Sequence, residues 1–87
     1  MADLYLPASL IDLFPGAPRR TTTDAPTVLA LIRALDARWP GMYDRLCVAG
    51  PAIREHLNIF VDGRKATLET PIPATAVVRI IPAVSGG

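Results

Sequence analysis

The sequence VVRIIPAVSGG, residues 77–87, joins an apolar strand pattern directly to a run of small residues. Val78 and Ile80 share one face of the predicted strand, because successive side chains of a strand point to opposite faces. Pro82 has no N–H group to donate, so we expect regular pairing to stop there. The five residues that follow are small and, apart from the terminal carboxylate, uncharged: Ala83, Val84, Ser85, Gly86 and Gly87. The pattern predicts one strand-rich domain over residues 1–82 and a flexible tail over residues 83–87, thin enough to enter a narrow channel.

Composition limits the rest of the chain. The 87 residues suit a single domain, and with 51% hydrophobic residues a core is feasible without disulfides or metal. A net charge of +1 gives no sign of the excess positive charge that binds nucleic acid or an anionic membrane surface. One cysteine excludes an internal disulfide and fits a reducing compartment. With no apolar run long enough to span a membrane and no signal-peptide pattern, we expect a soluble cytoplasmic protein.

The first half of the chain predicts two strands and one long helix. Asp3 to Pro7 alternates as a first strand, Ala8 to Phe14 suits one helical turn, and Arg19 to Thr23 suits a polar edge strand. Thr27 is placed to cap a helix from Val28 to Arg38. The apolar residues of that helix recur at the spacing of one face: Val28, Leu31, Ile32 and Leu35. This helix should therefore lie with one face on a sheet.

The second half predicts a hairpin and the final strand. Leu57 to Val61 alternates as a strand, and Asp62-Gly63 favours a two-residue turn that needs positive φ at both positions. Arg64 to Thr67 would be the return strand, and Ala76 to Pro82 the last strand. The resulting order predicts an α+β fold of the ubiquitin-like β-grasp type. Its mixed sheet would have four to five strands with one main helix across one face, and the last strand would be central, beside the first.

Residues 42–55 are the least regular segment. Tyr43 to Cys47 suits a short second helix, and Gly50-Pro51 suits a turn. A ferredoxin-like alternative would need a full second helix here. Cys47 is either a reactive thiol or, as we favour, a small apolar residue packed under this segment. His56 is the single histidine, so a histidine-based metal cluster and a Ser-His-Asp triad are both poorly supported, and no metal site is predicted.

Two stretches, HLNIFVDGRKA (His56 to Ala66) and residues 77–87, resemble the sulfur-carrier branch of the β-grasp superfamily. This branch includes the thiamine sulfur carrier, the small subunit of molybdopterin synthase and the actinobacterial cysteine-biosynthesis carrier. Its pattern is a strand of the type seen at Asn58 to Val61, a tight turn, and V-x-I-x-P-x-x-x-G-G, which starts here at Val78. Three stretches are most similar to the cysteine-biosynthesis carrier: the opening Leu6 to Leu10, the strand Leu57 to Val61 and the ending Ala83 to Gly87.

This resemblance implies a carried co-substrate and not an enzyme. A ubiquitin-activating-like adenylyltransferase would use ATP and magnesium to activate the Gly87 carboxylate, and a sulfur source would convert it to a thiocarboxylate. Ala83, Val84, Ser85 and Gly86 would thread into the partner's active site. The sulfur would then pass to a synthase similar to cysteine synthase or to the large subunit of molybdopterin synthase. No cofactor would bind to the chain itself, because ATP and magnesium belong to the partner.

Strand alternation also predicts a docking surface. If Leu4, Ile59 and Ile80 face the helix, neighbouring side chains face away from it. Those side chains are Tyr5, Phe60, Arg79 and Ile81, and we call them the docking patch. A helix-free sheet face with large apolar groups suggests a partner site. The alternative is that residues 8–18 or 42–55 fold over the patch and bury it.

Two other functions share the predicted fold. A ubiquitin-like modifier would use activated Gly87 to acylate lysines of other proteins. A β-grasp interaction domain would carry Gly86 and Gly87 incidentally, since chain ends are often disordered and tolerate glycine. Deleting both glycines distinguishes the interaction domain from the carrier and the modifier, because a pure interaction domain would keep its function.

Overall fold

The computed structural model describes residues 1–83, and the core of this part is one mixed sheet covered by a helix. In chain order the elements are β1 (Ala2–Tyr5), α1 (Ala8–Leu13), β2 (Arg20–Thr23), α2 (Val28–Arg38), α3 (Met42–Leu46), β3 (Cys47–Val48), β4 (Ala52–Ile53), β5 (Leu57–Val61), β6 (Arg64–Lys65) and β7 (Val77–Pro82). Five of these strands form the main sheet in the order β2-β1-β7-β5-β6. β7 is central and runs parallel to β1, while the other neighbours are antiparallel. The predicted mixed sheet and the central last strand are therefore confirmed.

Helix α2 covers one face of the sheet. It begins where predicted, since the Thr27 side chain accepts a hydrogen bond from the backbone N–H of Ala30 at 3.2 Å. The four predicted residues of its apolar stripe are all buried: Val28, Leu31, Ile32 and Leu35. From the sheet, the inward residues of the three central strands meet this stripe, among them Leu4, Ile59, Val78 and Ile80. Period-2 alternation in the strands and the helical stripe together produce this core.

The Asp62-Gly63 turn confirms the predicted hairpin. Asp62 has φ 51° and Gly63 has φ 81°, both in the left-handed region that a type I′ turn requires. The Asp62 carboxylate also accepts a hydrogen bond from the backbone N–H of Val77 at 2.9 Å. The turn is thereby joined to the first residue of the central strand.

Four strands differ from their predicted bounds. β2 begins at Arg20 and not at Arg19, and β7 begins at Val77 and not at Ala76. The other two strands differ more. The first strand is Ala2–Tyr5 and not Asp3 to Pro7, because the Pro7 carbonyl already accepts the N–H of Leu10, at 3.1 Å, and so begins α1. The return strand is Arg64–Lys65 and does not reach Thr67. The Thr67 N–H donates instead to the hydroxyl of Thr70 at 2.9 Å, which turns the chain away from the sheet.

The segment 42–55 contains more structure than its sequence indicated. The second helix is Met42–Leu46, so Cys47 lies after the helix and not in it. Cys47–Val48 then pairs antiparallel with Ala52–Ile53, which makes Gly50-Pro51 the turn of a small hairpin. The turn was predicted, but its two flanking strands were not. Met42, Leu46 and Cys47 anchor the segment in the core.

Candidate functional site

The two central strands separate at their carboxyl ends, directly before the tail. Pairing between β1 and β7 ends where Tyr5 lies opposite Arg79. Beyond this point the β1 chain bonds to the side of β2, with the Leu6 N–H donating to the Arg19 carbonyl at 2.9 Å. The β7 chain stays with β5, and the Ala83 N–H donates to the His56 carbonyl at 2.8 Å. The sheet is therefore split between its two parallel central strands.

Proline chemistry explains why the split is stable. Continuing the parallel register by two residues would place Pro7 opposite Ile81, and neither Pro7 nor Pro82 has an N–H to extend the ladder. The carbonyl of Pro7 is also occupied by the first turn of α1. Two chain segments that run side by side to Tyr5 and Arg79 therefore diverge, one into α1 and the other toward the tail.

The divergence leaves a groove of about 440 Å³, which we call the tail-root groove. Leu6 and Ile80 are buried residues beside it, and Pro7 and Ser9 line it on the α1 side. Its remaining lining includes Ile81 and Pro82 of β7 and the arginines Arg19 and Arg79. Sequence reasoning missed Pro7, Ser9 and Arg19 as site residues, because only the parallel pairing of β1 with β7 brings them to the root of the tail.

The four residues of the docking patch lie on the helix-free face of the sheet. Tyr5, Arg79 and Phe60 stand opposite one another on β1, β7 and β5. Arg79 separates the two aromatic residues, and its guanidinium carbon lies 4.3 Å from the centroid of the Tyr5 ring. Ile81 lies further along β7 and is 41% exposed. The structure thus brings the patch residues together, with the Arg79 cation over the Tyr5 ring, and their role in docking stays a prediction.

The covering segments considered above leave the patch accessible. Leu10 and Ala17 of the first segment are buried in the core, as is Leu46 of the second. Tyr5 and Phe60 are partly exposed, and Ile81 is more exposed than either. The segments 8–18 and 42–55 therefore pack into the core without burying Ile81.

Of the tail, only Ala83 lies within the described residues. Val84, Ser85, Gly86 and Gly87, which carry the predicted threading and activation roles, lie outside them. Ala83 was assigned to the tail, and its N–H bond to the His56 carbonyl shows that sheet pairing extends one residue beyond Pro82.

The other candidate residues offer little chemistry. The Cys47 side chain is buried, and burial raises the pKa of its thiol, an effect that the nearby Arg54 charge partly offsets. Its packing under residues 42–53 agrees with the structural role that we favoured. His56 is exposed next to β5 and contributes its backbone carbonyl. Within residues 1–83 there is no group of three or more His, Cys, Asp or Glu residues that could hold a metal. No helix in this range is long and apolar enough to cross a membrane.

Comparison with known structures agrees with this architecture. A chain of the Amycolatopsis orientalis BexX/CysO complex matches with a TM-score of 0.86 over 100% of both chains, at 23% identity, which bears on the fold alone. Mycobacterium tuberculosis CysO matches with a TM-score of 0.83 at 25% identity, over 97% of this chain and 100% of that one. SAMP1 from Haloferax volcanii matches with a TM-score of 0.73 at 26% identity, over 99% of this chain and 98% of that one. No curated protein sequence matches the chain closely enough to count as a relative.

The strand order, the helix across one face and these likenesses define a ubiquitin-like β-grasp protein. Its sequence places it more narrowly. The chain belongs to the ThiS family, whose model matches residues 8–87 and so includes the glycine pair. The predicted membership in the sulfur-carrier branch of the superfamily is therefore confirmed.

Proposed function

We propose that this protein is a sulfur carrier that works through a thiocarboxylate on Gly87. The observation that carries the proposal is the ThiS family match, which continues through the tail to Gly87. The fold supplies a second argument, because the tail follows the central strand of the sheet. β7 is paired on both sides up to Arg79 and with β5 as far as Ala83, so its end is a firm base from which a thin segment can extend.

The chemistry begins with a poor electrophile. At neutral pH an α-carboxyl is a carboxylate, which resists attack by a nucleophile. Its oxygen attacks the α-phosphorus of ATP in the partner's active site, pyrophosphate leaves, and an acyl adenylate forms. Sulfide then attacks the acyl carbon, and the bond from that carbon to the phosphate oxygen breaks. AMP is released, and Gly87 now ends in a thiocarboxylate. With a persulfide donor an acyl disulfide forms first, and a thiol reduces it to the same product.

In this scheme the chain is a protein co-substrate of two partners and not a catalyst. The first partner is a ubiquitin-activating-like adenylyltransferase that binds ATP and magnesium. The second is a synthase that accepts sulfur in cysteine, molybdopterin or thiamine biosynthesis. Among these the cysteine route is favoured by the Leu6 to Leu10 opening. We propose that both partners dock on the sheet face near the tail, using Tyr5, Phe60, Arg79 and Ile81, and that the reactions take place in the cytoplasm.

Intact-protein mass spectrometry tests the carrier role. The purified chain is incubated with a ubiquitin-activating-like adenylyltransferase, ATP, magnesium and sulfide. We expect a mass gain equal to the difference between one sulfur and one oxygen atom, and its absence in a variant that lacks Gly87. A matched control is Arg33→Glu, a charge change on the exposed face of α2 that leaves the tail intact. If the gain also occurs without Gly87, the modified atom is elsewhere and the proposal is wrong.

A second candidate is a protein modifier conjugated through Gly87 to lysines. It is favoured by the similarity to H. volcanii SAMP1, described as a small archaeal modifier protein. The two roles share activation and differ in the acceptor. Tagged chain purified from cells would carry isopeptide-linked lysine peptides if it is a modifier, and these would disappear when Gly86 and Gly87 are deleted. A thiocarboxylate without such conjugates would favour the carrier.

A further inference from the structure

The tail-root groove combines an apolar interior with one sign of charge. Apart from Arg79, the residues that line it along β7 and from Tyr5 to Ser9 are uncharged, and they include Leu6, Pro7 and Ile81. Its charged lining residues among the described part of the chain are two arginines, Arg19 and Arg79. A partner that complements an apolar crevice with two cations would carry an apolar side chain and negative charge.

Both guanidinium groups retain donors for such a partner. The Nε of Arg19 donates to the Leu6 carbonyl at 3.3 Å, which fixes its position and leaves its other N–H groups available. Arg79 stacks on the Tyr5 ring, and a stacked guanidinium keeps its in-plane N–H groups directed outward. Both side chains are therefore positioned by the fold before any partner arrives.

The acidic residues of this region do not neutralise the two cations. Within residues 1–83 the ion pair found joins Arg20 of β2 to Asp3 of β1, with 3.5 Å between a guanidinium nitrogen and a carboxylate oxygen. Neither Arg19 nor Arg79 forms an ion pair in that part of the chain. The positive charge at the groove is thus uncompensated by the described residues, although the net charge of the whole chain is only +1.

We propose that the groove receives an acidic segment of the adenylating partner. One bulky apolar side chain of that segment enters between Pro7 and Ile81, and flanking carboxylates pair with Arg19 and Arg79. This inference rests on the proposed function and adds the chemistry of the partner's contact. Because Pro82 lines the groove, a partner seated there holds the base of the tail at a fixed distance from its own active site.

Charge reversal tests the contact. The rate of adenylation by a ubiquitin-activating-like adenylyltransferase is measured from the release of pyrophosphate. Four proteins are compared: wild type, Arg19→Glu, Arg79→Glu and the control Arg33→Glu. We expect KM for the chain to rise roughly tenfold in the two groove variants at low salt, with little change in kcat. The difference should shrink as salt is added, because exposed charges are screened. Arg33→Glu, which changes the net charge equally, should behave as wild type.

Several results would overturn the inference. One is a KM within about twofold of wild type in both groove variants, and another is an equal rise in Arg33→Glu. Since a variant can fail to fold, wild-type chain labelled with nitrogen-15 is also titrated with the adenylyltransferase. Amide signals of Ala8, Ser9 and Ile81 should shift, and unchanged signals there would contradict the docking site. If wild type is adenylated but neither the KM increase nor the signal shifts are observed, the groove inference alone is wrong. If wild type itself is not adenylated, the proposed function is wrong as well.

Discussion

At the scale of single residues, small changes in chemistry decide where elements begin and end. Pro7 ends one ladder and begins a helix, because it lacks an N–H and its carbonyl accepts from Leu10. Gly63 completes a turn at φ 81°, and no atom lies within 4 Å of the position a Cβ would take, so only the backbone angle selects glycine there. The turn at Asp62-Gly63 is local and was predicted from the sequence, whereas Pro7 was placed in the first strand and its role in starting α1 was missed.

Thr27 offers a test of local stabilisation. Thr27→Ala removes the side-chain acceptor of the Ala30 N–H, and we expect a loss of about 1 kcal/mol in the free energy of unfolding. Thr27→Ser is the matched control, since it keeps the hydroxyl oxygen. Urea denaturation of the three proteins measures the difference. An equal loss in both variants would assign the effect to the threonine methyl group and not to the cap.

Cys47 provides a pH-dependent test. Burial raises the pKa of its thiol in the folded state, so the folded chain holds the proton more tightly than the unfolded chain does. This contribution to stability is complete below the pH at which a free thiol ionises, about 8.5, and is lost as the pH rises above it. The unfolding free energy of wild type should therefore fall more steeply above that pH than that of Cys47→Ala. Parallel curves from urea denaturation at several pH values would contradict this expectation.

At the scale of elements, periodicity separates what could be predicted from what could not. α2 and β5 are long enough for their patterns to show which face is buried, and Thr27 marks where the helix starts. β3 and β4 have two residues each, too few for alternation to appear, so the hairpin around Gly50-Pro51 was missed. The tail-root groove was missed for another reason. Its lining residues, such as Arg19 and Ile81, are distant in sequence and meet only through the pairing of β1 with β7.

Adjacent residues of β7 test this alternation. Ile80 is 2% exposed and packs under α2, whereas Ile81 is 41% exposed on the other face. Ile80→Ala should cost about 2–5 kcal/mol of unfolding free energy, because a core cavity replaces the lost atoms. Ile81→Ala should cost less than about 1 kcal/mol, since less apolar area leaves the interior. Chemical denaturation of both variants gives the comparison, and similar losses would show that β7 does not present these faces.

At the scale of the whole molecule, one face of the sheet packs into the core and the other leaves the docking patch at least partly exposed. α2 covers the first face with buried aliphatic residues. The second carries the docking patch, in which Arg79 lies between Tyr5 and Phe60. The split between β1 and β7 opens at the carboxyl end of β7, so the docking patch and the tail-root groove adjoin each other next to Pro82. We therefore expect substitutions in the docking patch to leave the core intact.

The docking patch makes a specific prediction. Phe60→Asp and Ile81→Asp should leave the fold intact and lower the rate of adenylation at limiting chain concentration, because a buried carboxylate would oppose apolar contact. Val48→Asp is a matched control, since Val48 is also 41% exposed but lies on the small hairpin of residues 47–53. Circular dichroism checks folding, and pyrophosphate release measures adenylation. Folded patch variants with the kinetics of Val48→Asp would exclude the patch as a docking site.

The parallel pairing of β1 with β7 also has a mechanical consequence. Tension applied between the start of β1 and the end of β7 acts along both strands in opposite directions. The hydrogen bonds between them are then sheared together and not opened one at a time, as they would be at the free edge of a hairpin. A partner that pulls on the tail therefore works against the strongest direction of the sheet. We therefore expect that the tail can be drawn into a tight opening as far as Ala83, whose N–H is bonded to the His56 carbonyl, while the sheet stays folded.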